Sequence, residues 1–127
     1  MRSIGYAAVA LCLALGSCAA LQSLSSTEVP YSAILVAANG VDASETTAKN
    51  YIVLCTPNPA LKGCNDTVIK TKIVPAVQKA RTARNAALKF VNENPYATFG
   101  PATLTDAVTT AVGALQTILT QNSIPSN

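Results

Sequence analysis

Between positions 31 and 121 the apolar residues recur three, four or seven positions apart, in three stretches parted by proline and glycine. A helix turns every 3.6 residues, so this spacing gathers them on one helical face. The first stretch, residues 31–55, carries Ile34, Leu35, Ala38, Val41, Ala48, Ile52 and Cys55 in that register. Asn39-Gly40 is a turn signal inside it, and one long helix with room for a kink is the preferred reading. Tyr51-Ile52-Val53-Leu54 has strand propensity, but no second strand is evident to pair with it. The second stretch, residues 66–93, places Ile69, Ile73, Val77, Ala80, Ala83, Ala87, Leu88 and Val91 on one face. Asn65 or Asp66 can cap its start. Pro75 predicts a kink, or a helix start near Val74. The third stretch, residues 102–121, repeats Leu104, Val108, Ala111, Leu115 and Ile118, with Thr103 and Asp106 as a shortened capping box. Residues 96–101 read as a turn, and residues 122–127 as a fraying tail.

None of these stripes can bury itself. The expected fold is all-α: a small three-helix bundle with one disulfide-closed interhelical loop. Its expected core is Ile34, Val41, Ile52, Ile69, Ile73, Val77, Leu88, Val91, Leu104, Val108, Leu115 and Ile118. Alanine is frequent among the inward positions, so the helices should approach closely around a thin core.

The loop is residues 55–64, CTPNPALKGC. Pro57 and Pro59 remove amide donors and fix φ, while Gly63 permits a left-handed turn. Cys55 and Cys64 stand nine positions apart, and a disulfide between them would clamp the first helix to the start of the second. Closing a loop of about ten residues stabilises by roughly 2–3 kcal/mol in the chain-entropy model. Redox pairs usually enclose two residues, and no third or fourth metal ligand accompanies this pair, so a structural role is expected and no metal or cofactor.

Residues 1–18 have the layout of a secretory signal: Arg2, then a mostly apolar run from Ile4 to Leu15. That run spans about 18 Å as a helix, short of the roughly 20 residues a bilayer core requires. Leu15-Gly16-Ser17-Cys18 resembles the lipobox of bacterial lipoproteins, an aliphatic residue and two small residues before cysteine. The resemblance covers the export signal alone. It implies diacylglycerol on the Cys18 thiol, cleavage before Cys18, and acylation of the new amine. It divides the chain into a signal peptide (1–17), a lipid anchor and Ser-rich tether (18–30), and a helical domain (31–127). Ala19 after the cysteine implies the outer membrane, facing the periplasm. The competing reading is an ordinary signal cut after Ala19. Either way Cys12 is lost with the signal, and Cys55 and Cys64 remain to pair, as an oxidising compartment allows.

Function is less constrained. Removing residues 1–17 leaves eight cationic against six acidic side chains, a net charge of +2. That is too little to suggest a nucleic-acid partner. The chain has no His, the commonest general base. It also lacks G-x-S-x-G, Ser-x-x-Lys and any Gly-rich phosphate loop, so no enzyme is expected. The one charged feature is the helix at 66–93, with Lys70, Lys72, Lys79, Arg81 and Arg84. They read as a solvated face, or as a patch for an anionic partner: lipid head groups or an acidic envelope protein. The expected protein is a membrane-anchored envelope lipoprotein that binds or scaffolds. The alternatives are a phage- or plasmid-derived lipoprotein for lysis, superinfection exclusion or immunity, and a secreted helical binding or inhibitory protein.

Overall fold

The three stretches are helices packed against one another in the computed structural model, which describes residues 27–125. The chain runs through β1 (Glu28–Pro30), α1 (Tyr31–Cys55), α2 (Asp66–Val68), a π-helical turn (Ile69–Ile73), α3 (Val74–Glu93), β2 (Phe99–Pro101) and α4 (Ala102–Gln121). The backbone stays right-handed helical at Val68, Ile69, Ile73 and Val74, so Asp66 to Glu93 forms one rod. This rod runs antiparallel to α1: Tyr31 at the start of α1 donates its hydroxyl proton to the Val91 carbonyl at 2.9 Å. α4 runs parallel to α1, with Ala102 beside Thr27 and Gln116 beside Ser44.

Local chemistry explains the joints. Pro75 has no amide to give, and its ring crowds the carbonyl four residues back. The turn ahead of it is widened, Val74 N–H bonding the Ile69 carbonyl five residues back. The α-helix then resumes with Pro75 in its first turn, where the missing amide is not needed. Asn39-Gly40 breaks nothing, because Ala38 and Val41 on either side are buried and α1 is held by packing. Tyr51–Leu54 is likewise helical.

Three expectations at the chain's joints are corrected. Residues 96–101 are more than a turn, and the stretch assigned to the tether gives Glu28–Pro30 to the fold. β1 and β2 pair antiparallel, Glu28 with Pro101, Val29 with Gly100 and Pro30 with Phe99. Strands of three residues are too short to show a period of two. The shortened capping box at Thr103 and Asp106 does not form, since α4 follows Pro101 directly with no side-chain cap. Its first amide, Ala102 N–H, instead bonds the Thr27 carbonyl at 3.1 Å. α1 follows Pro30 in the same way, and Tyr31 N–H bonds the Thr98 carbonyl at 3.0 Å.

The core lies in two storeys. Near the ribbon, Ile34, Ala38, Val41, Ala80, Ala87 and Val108 are buried together. Near the disulfide, Tyr51, Cys55, Ile69, Ile73, Leu115 and Leu119 form the second cluster with smaller neighbours. Of the expected core, Ile34, Val41, Ile73, Val108 and Leu115 are fully enclosed and Ile69 is buried. Ile52, Val77, Leu88, Val91, Leu104 and Ile118 pack at the edges. Ser44 is buried on α1 between the storeys, its hydroxyl accepting from Gln116 Nε2 at 3.3 Å.

The end of α4 is also tighter than a fraying tail. Ile124 N–H bonds the Leu119 carbonyl at 2.9 Å and Ser123 N–H bonds the Thr120 carbonyl at 3.0 Å. With Ser123 at φ 53°, this is a Schellman closure, and Ile124 tucks back onto the core.

Gly100 is where the ribbon meets the core. A Cβ there would stand 2.5 Å from Ile34 Cδ1 and 2.5 Å from Phe90 Cε1. Gly100→Ala should therefore lower stability by about 1–3 kcal/mol. A Cβ at Gly113 in α4 meets nothing within 4 Å, so Gly113→Ala should raise stability by up to about 1 kcal/mol. Urea midpoints read both signs, and an unchanged midpoint for G100A would mean the ribbon is not seated on Ile34 and Phe90.

Candidate functional site

The five basic residues singled out in the sequence all project from the rod, but they do not form one patch. Lys70 pairs with Asp66 one turn earlier at 2.7 Å. Arg81 and Arg84 face α1. Arg81 Nε donates to Glu45 Oε1 at 2.9 Å, and Arg81 Nη2 bonds the same oxygen. Arg84 Nη1 donates to Asp42 Oδ1 and stands 3.9 Å from Glu45 Oε2. Arg81 and Arg84 are thus each paired with acids of the same chain. The matching intervals, Asp42 to Glu45 and Arg81 to Arg84, are a signal of antiparallel cross-helix pairing that inspection of the rod alone misses.

Glu45 is the electrostatic centre of this joint, its side chain 18 % exposed. The hydrogen bond from Arg81 holds its carboxyl below the ordinary value near 4.5. Partial burial pushes the other way, and the charges of Arg81, Arg84 and Lys49 add to the lowering. The same bond raises the Arg81 guanidinium.

Lys72 and Lys79 have no ion pair among the described residues. Lys79 lines an open groove of about 850 Å³ between α3 and α4, together with Pro75, Ala83, Ala107 and Ala111, with Asp106 at one end. Lys72 lines a smaller hollow that shares Pro75, Lys79 and Ala111 with it.

The other constructed feature is the loop clasp. Cys55 and Cys64 form the disulfide, Cα to Cα 5.5 Å. Gly63 takes φ +94°, a conformation other residues adopt with strain. Beside the bridge, the Tyr51 hydroxyl donates to the Gly63 carbonyl at 2.8 Å and accepts from Asn65 N–H at 3.0 Å. Asn65 Oδ1 then accepts from Val68 N–H at 3.0 Å, the expected cap of the rod. Nothing in the sequence marks Tyr51 for this role, since its partners are backbone groups twelve and fourteen positions away.

Cys12, Cys18 as the expected lipidation site, and the expected signal and tether up to residue 26 lie outside the described residues. Among the described residues no group of three His, Cys, Asp or Glu could hold a metal ion, and no helix is long and apolar enough to cross a membrane. Comparison with protein-family models, curated proteins and solved structures finds no match to this chain.

Two outcomes test the joints. Tyr51→Phe keeps the ring but strips both loop bonds, and should cost about 1–2 kcal/mol with the disulfide intact. A thermal midpoint equal to that of the parent protein would remove Tyr51 from the clasp. For Glu45, the folded carboxyl titrates below the unfolded one. Its stabilisation is thus complete above about pH 4.5 and lost as pH falls through the folded value. Glu45→Gln should lower stability slightly at neutral pH, as solvent screens the exposed Arg81 partner, and flatten the acid limb of the stability profile. An acid limb identical in the two proteins would show that the pairing with Arg81 does not stabilise the fold.

Proposed function

We propose that this chain is a small bacterial envelope lipoprotein, anchored by acyl chains on Cys18, with its helical domain on the periplasmic side of the outer membrane. It acts by binding or scaffolding rather than by catalysis. The observation that carries the reading is Leu15-Gly16-Ser17-Cys18 directly after a short apolar run. Small residues suit a signal peptidase, and a thiolate is the side chain that alkylates readily. Two or more acyl chains hold a protein stably where one is marginal.

The folded domain agrees with export. Its disulfide persists in the periplasm and is rare in the cytosol. For an anionic partner the available cations are Lys72 and Lys79, beside the α3–α4 groove, with Lys70 held only by an exposed pair on its own helix. An acidic partner laid along that groove would meet apolar alanines and the Lys79 ammonium, with Lys72 beyond the Pro75 end and Asp106 at the opposite end.

Intact mass spectrometry of the membrane fraction tests the anchor. The expected species starts at Cys18, is heavier by its acyl groups, and is lighter by two hydrogens for the Cys55–Cys64 bond. Cys18→Ser should move the protein from the membrane to the soluble fraction. A soluble, unacylated native species starting at Ala20 would overturn the lipoprotein reading and leave a secreted protein in its place.

A further inference from the structure

The outer face of the ribbon is uncovered and carries one exposed aromatic ring and two prolines beside the single charge of Glu28. Side chains alternate across a strand: Val29 and Gly100 face the core, while Glu28, Pro30, Phe99 and Pro101 face out. Phe99 is 54 % exposed and pairs with Pro30 across the ladder. Tyr96, three residues earlier in the same connector, is 97 % exposed. The other described aromatic residues, Tyr31, Tyr51 and Phe90, are buried or half-buried. Proline at 30 and 101 removes amide donors from both strands, so a further strand has little to bind here.

The chain enters the fold at this same pole, where the Thr27 carbonyl is bonded to Ala102. Nine residue steps separate Thr27 from Cys18. Nine steps of a polypeptide span at most about 30 Å. The disulfide loop lies at the other end of α1, about 37 Å away at 1.5 Å per residue over its 25 residues. An anchor on Cys18 thus keeps the ribbon pole within reach of the bilayer.

We infer that the ribbon pole is a membrane-contacting surface, with Tyr96 and Phe99 seated at the boundary between head groups and acyl chains of the leaflet that holds the anchor. The inference rests on the lipid-anchored reading above. A tyrosine suits that depth, its ring among the acyl chains and its hydroxyl among the head groups. Contact at one pole stands the bundle on end. The α3–α4 groove then runs away from the membrane, and Lys72, toward the disulfide end of the rod, and Lys79, at its middle, are lifted clear of the head groups. Their partner in that arrangement comes from the periplasm, not from the anchoring leaflet.

The chain has no Trp, so Tyr96→Trp and Phe99→Trp each introduce a single indole at an exposed site. Full-length lipidated protein, purified from bacterial membranes, is reconstituted into phosphatidylcholine vesicles with and without brominated acyl chains. Leu61→Trp, in the disulfide loop and 46 % exposed, reports on the far pole. Burial about 5–10 Å into the interface should give roughly a two-fold loss of emission at positions 96 and 99 and little loss at 61. Neutral lipid removes attraction to the lysines as a cause, and urea midpoints confirm that each variant is folded. Quenching at all three positions would mean that the bundle lies on its side. Quenching at none would mean that the tether holds it clear. Either result overturns the inference. Flotation of the same vesicles separates the two failures: protein that floats unquenched sinks the pole contact alone, whereas protein that does not float sinks the anchor and this inference together.

Discussion

Two helices of this bundle begin at the same pole, each directly after a proline, and each gives its first amide to the segment leading into the other. Tyr31 N–H is held by Thr98, and Ala102 N–H by Thr27. A helix start buried without such partners is costly, and neither start has a side-chain cap. The exchange therefore settles where both helices begin and makes α1 and α4 parallel. The rod from Asp66 to Glu93 has only to run back between them.

An alanine-lined core gives little purchase against sliding, because small side chains make shallow ridges and grooves. Polar contacts set the register instead. Arg81 and Arg84 lock the rod to Glu45 and Asp42 on α1. Gln116 reaches the buried Ser44 hydroxyl and does the same between α1 and α4. At the far pole the disulfide, the Tyr51 hydroxyl and the Asn65 cap tie the end of α1 to the start of the rod. Charge that reads in one dimension as a surface for a partner is thus, for Arg81 and Arg84, part of the fold.

What the sequence made legible follows from the range of each interaction. Helices were legible because Ile69, Ile73 and Val77, or Leu104, Val108 and Leu115, repeat at helical spacing over many turns. The cap at Asn65 and the restart at Val74 were legible because both are local. The ribbon was not, since Val29 and Gly100 signal nothing until they are brought together. Ile124 was not legible for a related reason: the turn that returns it to the core is made by a serine at positive φ, where glycine is the usual mark. Of the candidate site, the lysines beside the groove were visible as charge. The groove itself needed both of its walls, and so was not.

The two poles differ in how far along the chain they reach. Cys55 and Cys64 close over nine positions, while Glu28 meets Pro101 only after more than seventy. The entropy lost on closing a loop grows with the logarithm of its length, so the ribbon is the dearer contact to form from an open chain. A chain that leaves the ribosome N-terminus first has β1 waiting without a partner until β2 has been made. The first turn of α1, the oldest part of the helical domain, is therefore completed by a segment made more than sixty residues later, and a chain arrested before Thr98 would lack the capped start of either outer helix.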